Sequence, residues 1–254
     1  MPGAMSPLID RRWRFVVVST HFDDAALSIG GFLLGTDLPR AVVTVHGGRP
    51  DPGARVADWD RNCGFTTAAE AYTTRLAEDR RACAVLGADQ VPLNNPDNPY
   101  RSGGPLNDLS ELLASLDGDV QVLLPMGINQ PDHAAVREAA LAVMDGTDRR
   151  PPWLYADLPY AAALVGDWVS APAQTLALEL AARDAGCRAL REERDLMVAR
   201  SVSLGAAQWS RKRDAVLCYA SQLSLVGAMG EVRHLGALLG FPGVMQRELI
   251  WAVG

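Results

Sequence analysis

Three short segments carry residue types able to do hydrolytic chemistry: His21-Phe22-Asp23-Asp24, His46, and Gln130-Pro131-Asp132-His133. Two imidazoles and one carboxylate, those of His21, His133 and Asp24, form a catalytic zinc arrangement when one position stays open for water. Zinc in such a site lowers the pKa of its water to about 7, so hydroxide is available at neutral pH. Asp23 sits beside Asp24 in sequence but need not bind metal, and a free carboxylate there can take the water's proton as general base. A plainer reading of the same residues stands beside this one. An Asp-Asp pair after a strand also serves as a helix N-cap with a first-turn dipole partner, and a histidine at a helix start can simply be solvated. His-x-x-Asp is a short and unspecific pattern by itself.

The elements around these segments alternate. Arg14 to Thr20, Ala41 to Val45, Asp89 to Leu93, Val120 to Pro125 and Trp153 to Leu158 read as short buried strands. Helical spacing follows at Asp24 to Leu34, Thr67 to Leu86, Leu106 to Leu116 and Asp132 to Met144, with Gly87 placed to stop the second of these. Thr175 to Arg200 and Trp209 to Leu223 read as long helical stretches. His46 opens a Pro/Gly/Asp-rich loop to about Thr66, and Asn94 to Pro105 is a dense turn segment. Strands alternating with helices imply parallel βαβ units under one sheet. In such sheets the ligand crevice lies outside the carboxyl ends of the strands, which is where all three reactive segments fall. There is no internal repeat or clean linker, so one domain over residues 1–254 is expected.

Composition narrows the function classes. The chain has 254 residues, 48% apolar and 21% charged, and a formal net charge of −6. An acidic chain without a basic stripe is a poor partner for nucleic acid. No run approaches the roughly 18 apolar residues a membrane helix needs. Met1 to Arg14 is mixed, carries Asp10 and lacks the apolar core of a secretion signal, so a cytoplasmic location is expected. Cys63, Cys83, Cys187 and Cys218 are scattered without a CxxC pair, which reads as reduced, mostly buried thiols. Lys212 is the only lysine, a bias of GC-rich bacterial coding rather than of chemistry. Gly30-Gly31 is not a dinucleotide fingerprint, because the GxGxxG spacing is absent.

An ordered set of segments resembles the PIG-L/LmbE family of metal-dependent N-acetyl deacetylases. VVSTHFDDAALSIGG is similar to the family's first motif, a strand, His-Pro-Asp-Asp and a helix with a Gly-Gly pair, and QPDHAAVREAA is similar to its His-x-Asp-His motif. Arg75-Leu76-Ala77-Glu78 with Leu86-Gly87, Tyr155 to Tyr160 (YADLPY) and Tyr219 to Gln222 (YASQ) also resemble family features, in the right order. The resemblance implies an α/β fold, a Rossmann-like three-layer sandwich with a mostly parallel sheet. It implies a metal, zinc or else iron(II), on His21, Asp24 and His133, with Asp23 as general base. The implied reaction is hydrolysis of an N-acetyl or other N-acyl group on a small amine, such as an amino sugar or an amino-sugar metabolite of bacterial secondary metabolism. The implied partner is that small molecule, with neither nucleic acid nor membrane, in a possible homo-oligomer.

Two departures bear on the mechanism. Phe22 replaces the family's common proline, which changes loop stiffness. Gln130 occupies the first histidine position of His-x-Asp-His; glutamine can donate a hydrogen bond to an oxyanion but cannot act as an acid. Either Asp23 both accepts and returns the proton, or His46 or His234 substitutes, or the chain is a slow, specialised or inactive member. Further candidates are Arg75, as substrate contact or helix-surface charge; His46, as pocket or structural residue; and Asp97, which with Tyr100 and Arg101 suits sugar hydroxyls or serves turn chemistry. Trp59 can stack on a sugar or simply pack, and His234 is read as structural or solvated. Two other functions remain open: a non-catalytic or remodelled family member that binds a small ligand, and an iron(II) facial-triad oxygenase, which would sit on an all-β barrel.

Overall fold

The computed structural model describes residues 12–98, 100–101, 103–226 and 235–254. In chain order the elements are β1 (Phe15–Ser19), α1 (Asp24–Leu34), β2 (Arg40–Thr44), α2 (Asp58–Asn62), α3 (Ala68–Leu86), β3 (Asp89–Pro92), α4 (Asn107–Ser115), β4 (Gln121–Pro125), α5 (Pro131–Met144), β5 (Trp153–Tyr155), α6 (Tyr160–Leu164), α7 (Ala173–Arg183), α8 (Ala185–Glu193), β6 (Leu196–Ser203), α9 (Ala206–Val216), α10 (Ala220–Val226), α11 (Leu235–Leu238) and β7 (Arg247–Val253). The β-branched runs of β1 and β2 are buried because a sheet covered on both faces needs apolar residues on both sides of each strand.

The strands form one sheet in the order β3-β2-β1-β4-β5-β7-β6. The first five pair in parallel, and β7 runs antiparallel to both β5 and β6. Helices α1, α3 and α9 pack together on one face and α4 with α5 on the other. This is the expected α/β sandwich, and helices on both faces of the sheet leave no place for the all-β barrel of the oxygenase alternative. The connections run outward from β1 to β2 and then restart at β4 on the other side of β1. The crevice at that switch point opens at the carboxyl ends of β1 and β4.

The C-terminal third departs from the sequence expectation. Thr175 to Arg200 is not one helical stretch. Asp184 ends α7 and its side chain accepts the Cys187 N–H at 2.8 Å to cap α8. The chain from Leu196 then becomes the edge strand β6, because pairing with β7 outweighs the helical spacing of a half-exposed segment. Trp209 to Leu223 is likewise divided, with a 3-10 turn at Leu217–Tyr219 between α9 and α10. The strand expected over Trp153 to Leu158 stops at Tyr155, and the long loop after His46 contains α2.

Strand β7, absent from the sequence reading, secures the helix that carries Asp24. Ile29 leaves helical geometry (φ −137°, ψ 21°), which breaks the α1 hydrogen-bond ladder. The Gly31 and Phe32 N–H groups freed there each donate at 2.7 Å to the buried Glu248 carboxylate. Lys212, the single lysine, is also fully buried; its Nζ lies 2.7 Å from Glu248 Oε1 and donates to the Met245 carbonyl at 3.0 Å. Gly31 has a packing reason: a Cβ there would lie 2.5 Å from Leu204 and 2.9 Å from Glu248 Oε1. All four cysteines are free, with Cys83 and Cys187 buried.

Candidate metal centre

Five parallel strands each deliver a side chain to the same end of the sheet. His21, Asp23 and Asp24 follow β1, His46 follows β2, Asp97 follows β3, Gln130 and His133 follow β4, and Asp157 follows β5. Of the eight residues singled out from sequence as catalytic, metal-binding or substrate-binding, seven line one cavity of about 250 Å³; His133 lies buried just behind its wall.

Asp24 is the hub. Its Oδ2 accepts the His21 N–H at 2.8 Å, lies 3.3 Å from His21 Nδ1 and lies 3.2 Å from His133 Nε2. The His133 ring is fully buried and T-shaped against Tyr160. Its Nδ1 is 2.7 Å from Asp157 Oδ1, while its Nε2 has no hydrogen-bond partner among the described residues despite its closeness to Asp24. Asp157 is itself fixed by the N–H groups of Gly127 and Ile128, which donate to Oδ2 at 2.8 and 3.0 Å. Gly127 is required there: φ is +81°, and a Cβ would lie 2.8 Å from the Ala134 backbone.

A divalent cation fits this donor set. Metal bonds of roughly 2.0–2.2 Å in a tetrahedron place donors about 3.3 Å apart, and the two separations around Asp24 Oδ2 are 3.3 and 3.2 Å. A buried imidazole nitrogen with no hydrogen bond is costly unless something else takes its lone pair. The ligand atoms of His21, Asp24 and His133 all lie within 4.8 Å of one another.

Without a cation the site is strongly polarised. Burial opposes charge on His133, but the Asp24 and Asp157 carboxylates outweigh it and push the imidazole up to about 10. Burial likewise opposes charge on His21, and Asp97, Asp132 and Asp24 raise it well above the ordinary histidine range. Burial would raise Asp24, yet His133 and His21 hold it far below the carboxylate range. Asp23 goes the other way: burial and the adjacent Asp24 charge push it up to about 6. The two neighbouring carboxylates thus have pKa values driven apart by their surroundings.

The remaining candidates fall into place around this centre. His46 is buried in the cavity wall, stacked on His21 with centroids 5.5 Å apart, and burial lowers it to about 4. Arg75 is not a helix-surface charge. Its guanidinium bonds Asp60 and lies 3.5 Å from Asp97. Gln130 Nε2 donates to the Tyr160 hydroxyl at 3.2 Å. Trp59 faces the cavity with Nε1 donating to Gln222 Oε1 at 2.7 Å, and the Tyr100 hydroxyl bonds Asp60. Phe22, at the family's proline position, is buried and touches the cavity. His234 lies outside the described residues. Sequence reasoning missed Asp157, Asp60 and Tyr160; the YADLPY segment was noticed, but a lone Asp after a three-residue strand carries no signal of its partner.

Comparison with known proteins follows the geometry. The PIG-L profile, described as GlcNAc-PI de-N-acetylase, matches residues 16–144. Among solved structures, A40926 pseudoaglycone deacetylase Dbv21 is 26% identical with a TM-score of 0.68, covering 96% of this chain and 98% of its own. The zinc inhibited form of teicoplanin deacetylase Orf2 is 22% identical with a TM-score of 0.68 over 95% and 98%. N,N'-diacetylchitobiose deacetylase from Pyrococcus horikoshii is 14% identical with a TM-score of 0.51 over 93% and 82%. The last two are likenesses of fold. No curated protein sequence matches the chain.

Proposed function

The chain belongs to the PIG-L family, an enzyme family of N-deacetylases, and on that premise we propose that it hydrolyses the N-acetyl group of an amino sugar, with His21, Asp24 and His133 as metal ligands and Asp23 as general base. The observation that carries this reading is the convergence of the buried His133 Nε2 and of His21 Nδ1 on one Asp24 oxygen, at 3.2 and 3.3 Å, with no other partner for Nε2 among the described residues. Zinc suits two imidazoles and one carboxylate, and iron(II) accepts the same set. The bound cation supplies a water of lowered pKa and polarises the amide carbonyl.

The protein's own groups do the rest. Asp23 lies in the cavity wall beside the ligand set, and burial and the adjacent Asp24 charge raise it above the ordinary carboxylate range, which suits a group that takes a proton and gives it back. It takes the proton of the attacking water as the C–O bond forms, then delivers it to the amide nitrogen as the C–N bond breaks, releasing acetate and the amine. Gln130 cannot share that duty, because its amide does not titrate. Its amide, which bonds the Tyr160 hydroxyl at the cavity edge, is the donor that would stabilise the developing oxyanion. This assigns proton return to Asp23 rather than to His46, whose lowered pKa leaves it neutral and a poor acid.

The cavity points to the substrate's size. At about 250 Å³ it lies below the roughly 300–1,000 Å³ of drug-sized pockets, which suits one sugar ring with the remainder of a glycoside projecting from the mouth. Trp59 and Tyr72 line it with aromatic rings against which a sugar can pack. The similarity to a pseudoaglycone deacetylase supports an N-acetylated amino sugar joined to a larger aglycone. The test is acetate release from N-acetylglucosaminides with aglycones of increasing size, in zinc-loaded protein and in protein stripped by chelator. Metal-dependent acetate release supports the proposal. A metal-loaded protein that binds these glycosides without releasing acetate would replace it with the ligand-binding reading.

A further inference from the structure

His21 meets carboxylates on both sides of its ring. Nδ1 lies 3.3 Å from Asp24 Oδ2, on the side it shares with His133. Nε2 lies 3.4 Å from Asp97 Oδ1 and 3.6 Å from Asp132 Oδ2. We propose that Asp97 and Asp132 are positioning residues, whose carboxylates together hold the Nε2–H of His21 electrostatically and so present its Nδ1 lone pair to the cation. This rests on the metal reading above.

A neutral imidazole carries one N–H. A ring that gives Nδ1 to a cation must hold its proton on Nε2, and a proton there needs an acceptor. Asp157 meets the mirror-image need on His133, where Nδ1 carries the proton and Nε2 is left for metal. Each ligand histidine therefore has carboxylate on the nitrogen that faces away from Asp24. Partners of this kind fix the tautomer, orient the ring and raise its basicity.

Asp97 is held for this task from behind. Its Oδ2 lies 3.5 Å from Arg75 Nη1, and the other amino group of Arg75 bonds Asp60, which is 1% exposed. The chain Asp60–Arg75–Asp97–His21 ties α2 and α3 to the loop after β1. Asp97 and Arg75, expected from sequence to contact substrate, are thereby given work on the protein's own ligand. The same atoms of His21, Asp97 and Asp132 also lie close enough together to hold a second cation. The Arg75 guanidinium on the other oxygen of Asp97 opposes that use, since it already neutralises the carboxylate and repels a further positive charge.

Zinc titration against a chromophoric chelator separates the alternatives, using wild type, Asp97→Asn, Asp132→Asn and the double variant. Metal per chain and the thermal midpoint of the metal-free protein are recorded for each. The expected result is one zinc per chain throughout, a small loss of affinity in the single variants, and a loss of about 10- to 100-fold in the double variant. Metal-free midpoints stay unchanged and Asp97→Glu recovers part of the affinity. Unaltered affinity in the double variant overturns the proposal. So does wild type binding two zinc ions with only the weaker lost in the variants, and so does a loss matched by a lowered metal-free midpoint. Wild-type affinity in His133→Ala would instead sink the metal reading itself, an outcome distinct from these.

Discussion

His133 and Asp157 meet at 2.7 Å between Nδ1 and Oδ1, both fully enclosed, with Asp157 anchored by two backbone N–H groups from the loop after β4. The pair joins the ends of β4 and β5 and decides which ring nitrogen is free. Asp157→Asn removes the charge but leaves the shape. It should weaken zinc binding by about 10- to 100-fold, measured by chelator competition; undiminished affinity would show that the carboxylate does not orient the ligand.

Metal affinity should rise with pH. In the metal-free site His133 is pushed up to about 10 and His21 well above its ordinary value, so protons compete with the cation for both rings. Each must lose its proton to become a ligand, and binding therefore releases protons. Between pH 6 and 8, the dissociation constant should fall by about tenfold per pH unit for each proton released. A flat profile from isothermal titration in two buffers of different ionisation enthalpy would contradict the protonated metal-free state.

Gln130→Ala should lower kcat by about 10²- to 10³-fold if the amide N–H steadies the oxyanion, with a smaller change in KM and no loss of bound metal. Steady-state kinetics with parallel metal analysis checks this. A change confined to KM would make Gln130 a substrate-binding group instead.

Glu248→Ala should cost about 3–5 kcal/mol. It strands the buried Lys212 ammonium and uncaps the Gly31 and Phe32 N–H groups at the α1 break. Denaturant unfolding of the metal-free proteins measures the loss. A cost under about 1 kcal/mol would mean that Lys212 is neutral or reaches solvent.

The legible part of this molecule was the part with strong local signals. The apolar runs of β1, β2 and β4 and the helix bounded by Thr67 and Gly87 lie within a residue or so of their expected limits. His21, Asp24 and His133 converge as their strand-end positions implied, because a parallel sheet brings successive strand ends to one edge. What escaped was decided by partners distant in sequence. Glu248 is 217 residues from Gly31, Asp157 is 24 from His133, and β6 is a strand only because β7 lies beside it. Arg75 stayed open between a substrate contact and a helix-surface charge because the buried Asp60 that clamps it lies in the short α2, within a segment whose sequence reads as loop. Residue types announced the chemistry, while the side chains that orient it became visible only in three dimensions.

The central claim is that Asp23 moves the proton in a metal-dependent amide hydrolysis without holding the metal. The most direct test is acetate release and metal content measured on the same samples of wild type and Asp23→Asn. The account predicts one metal per chain in both, with turnover in the variant reduced by at least about 100-fold. Equal turnover in the two proteins, or loss of the metal with Asp23, would contradict it.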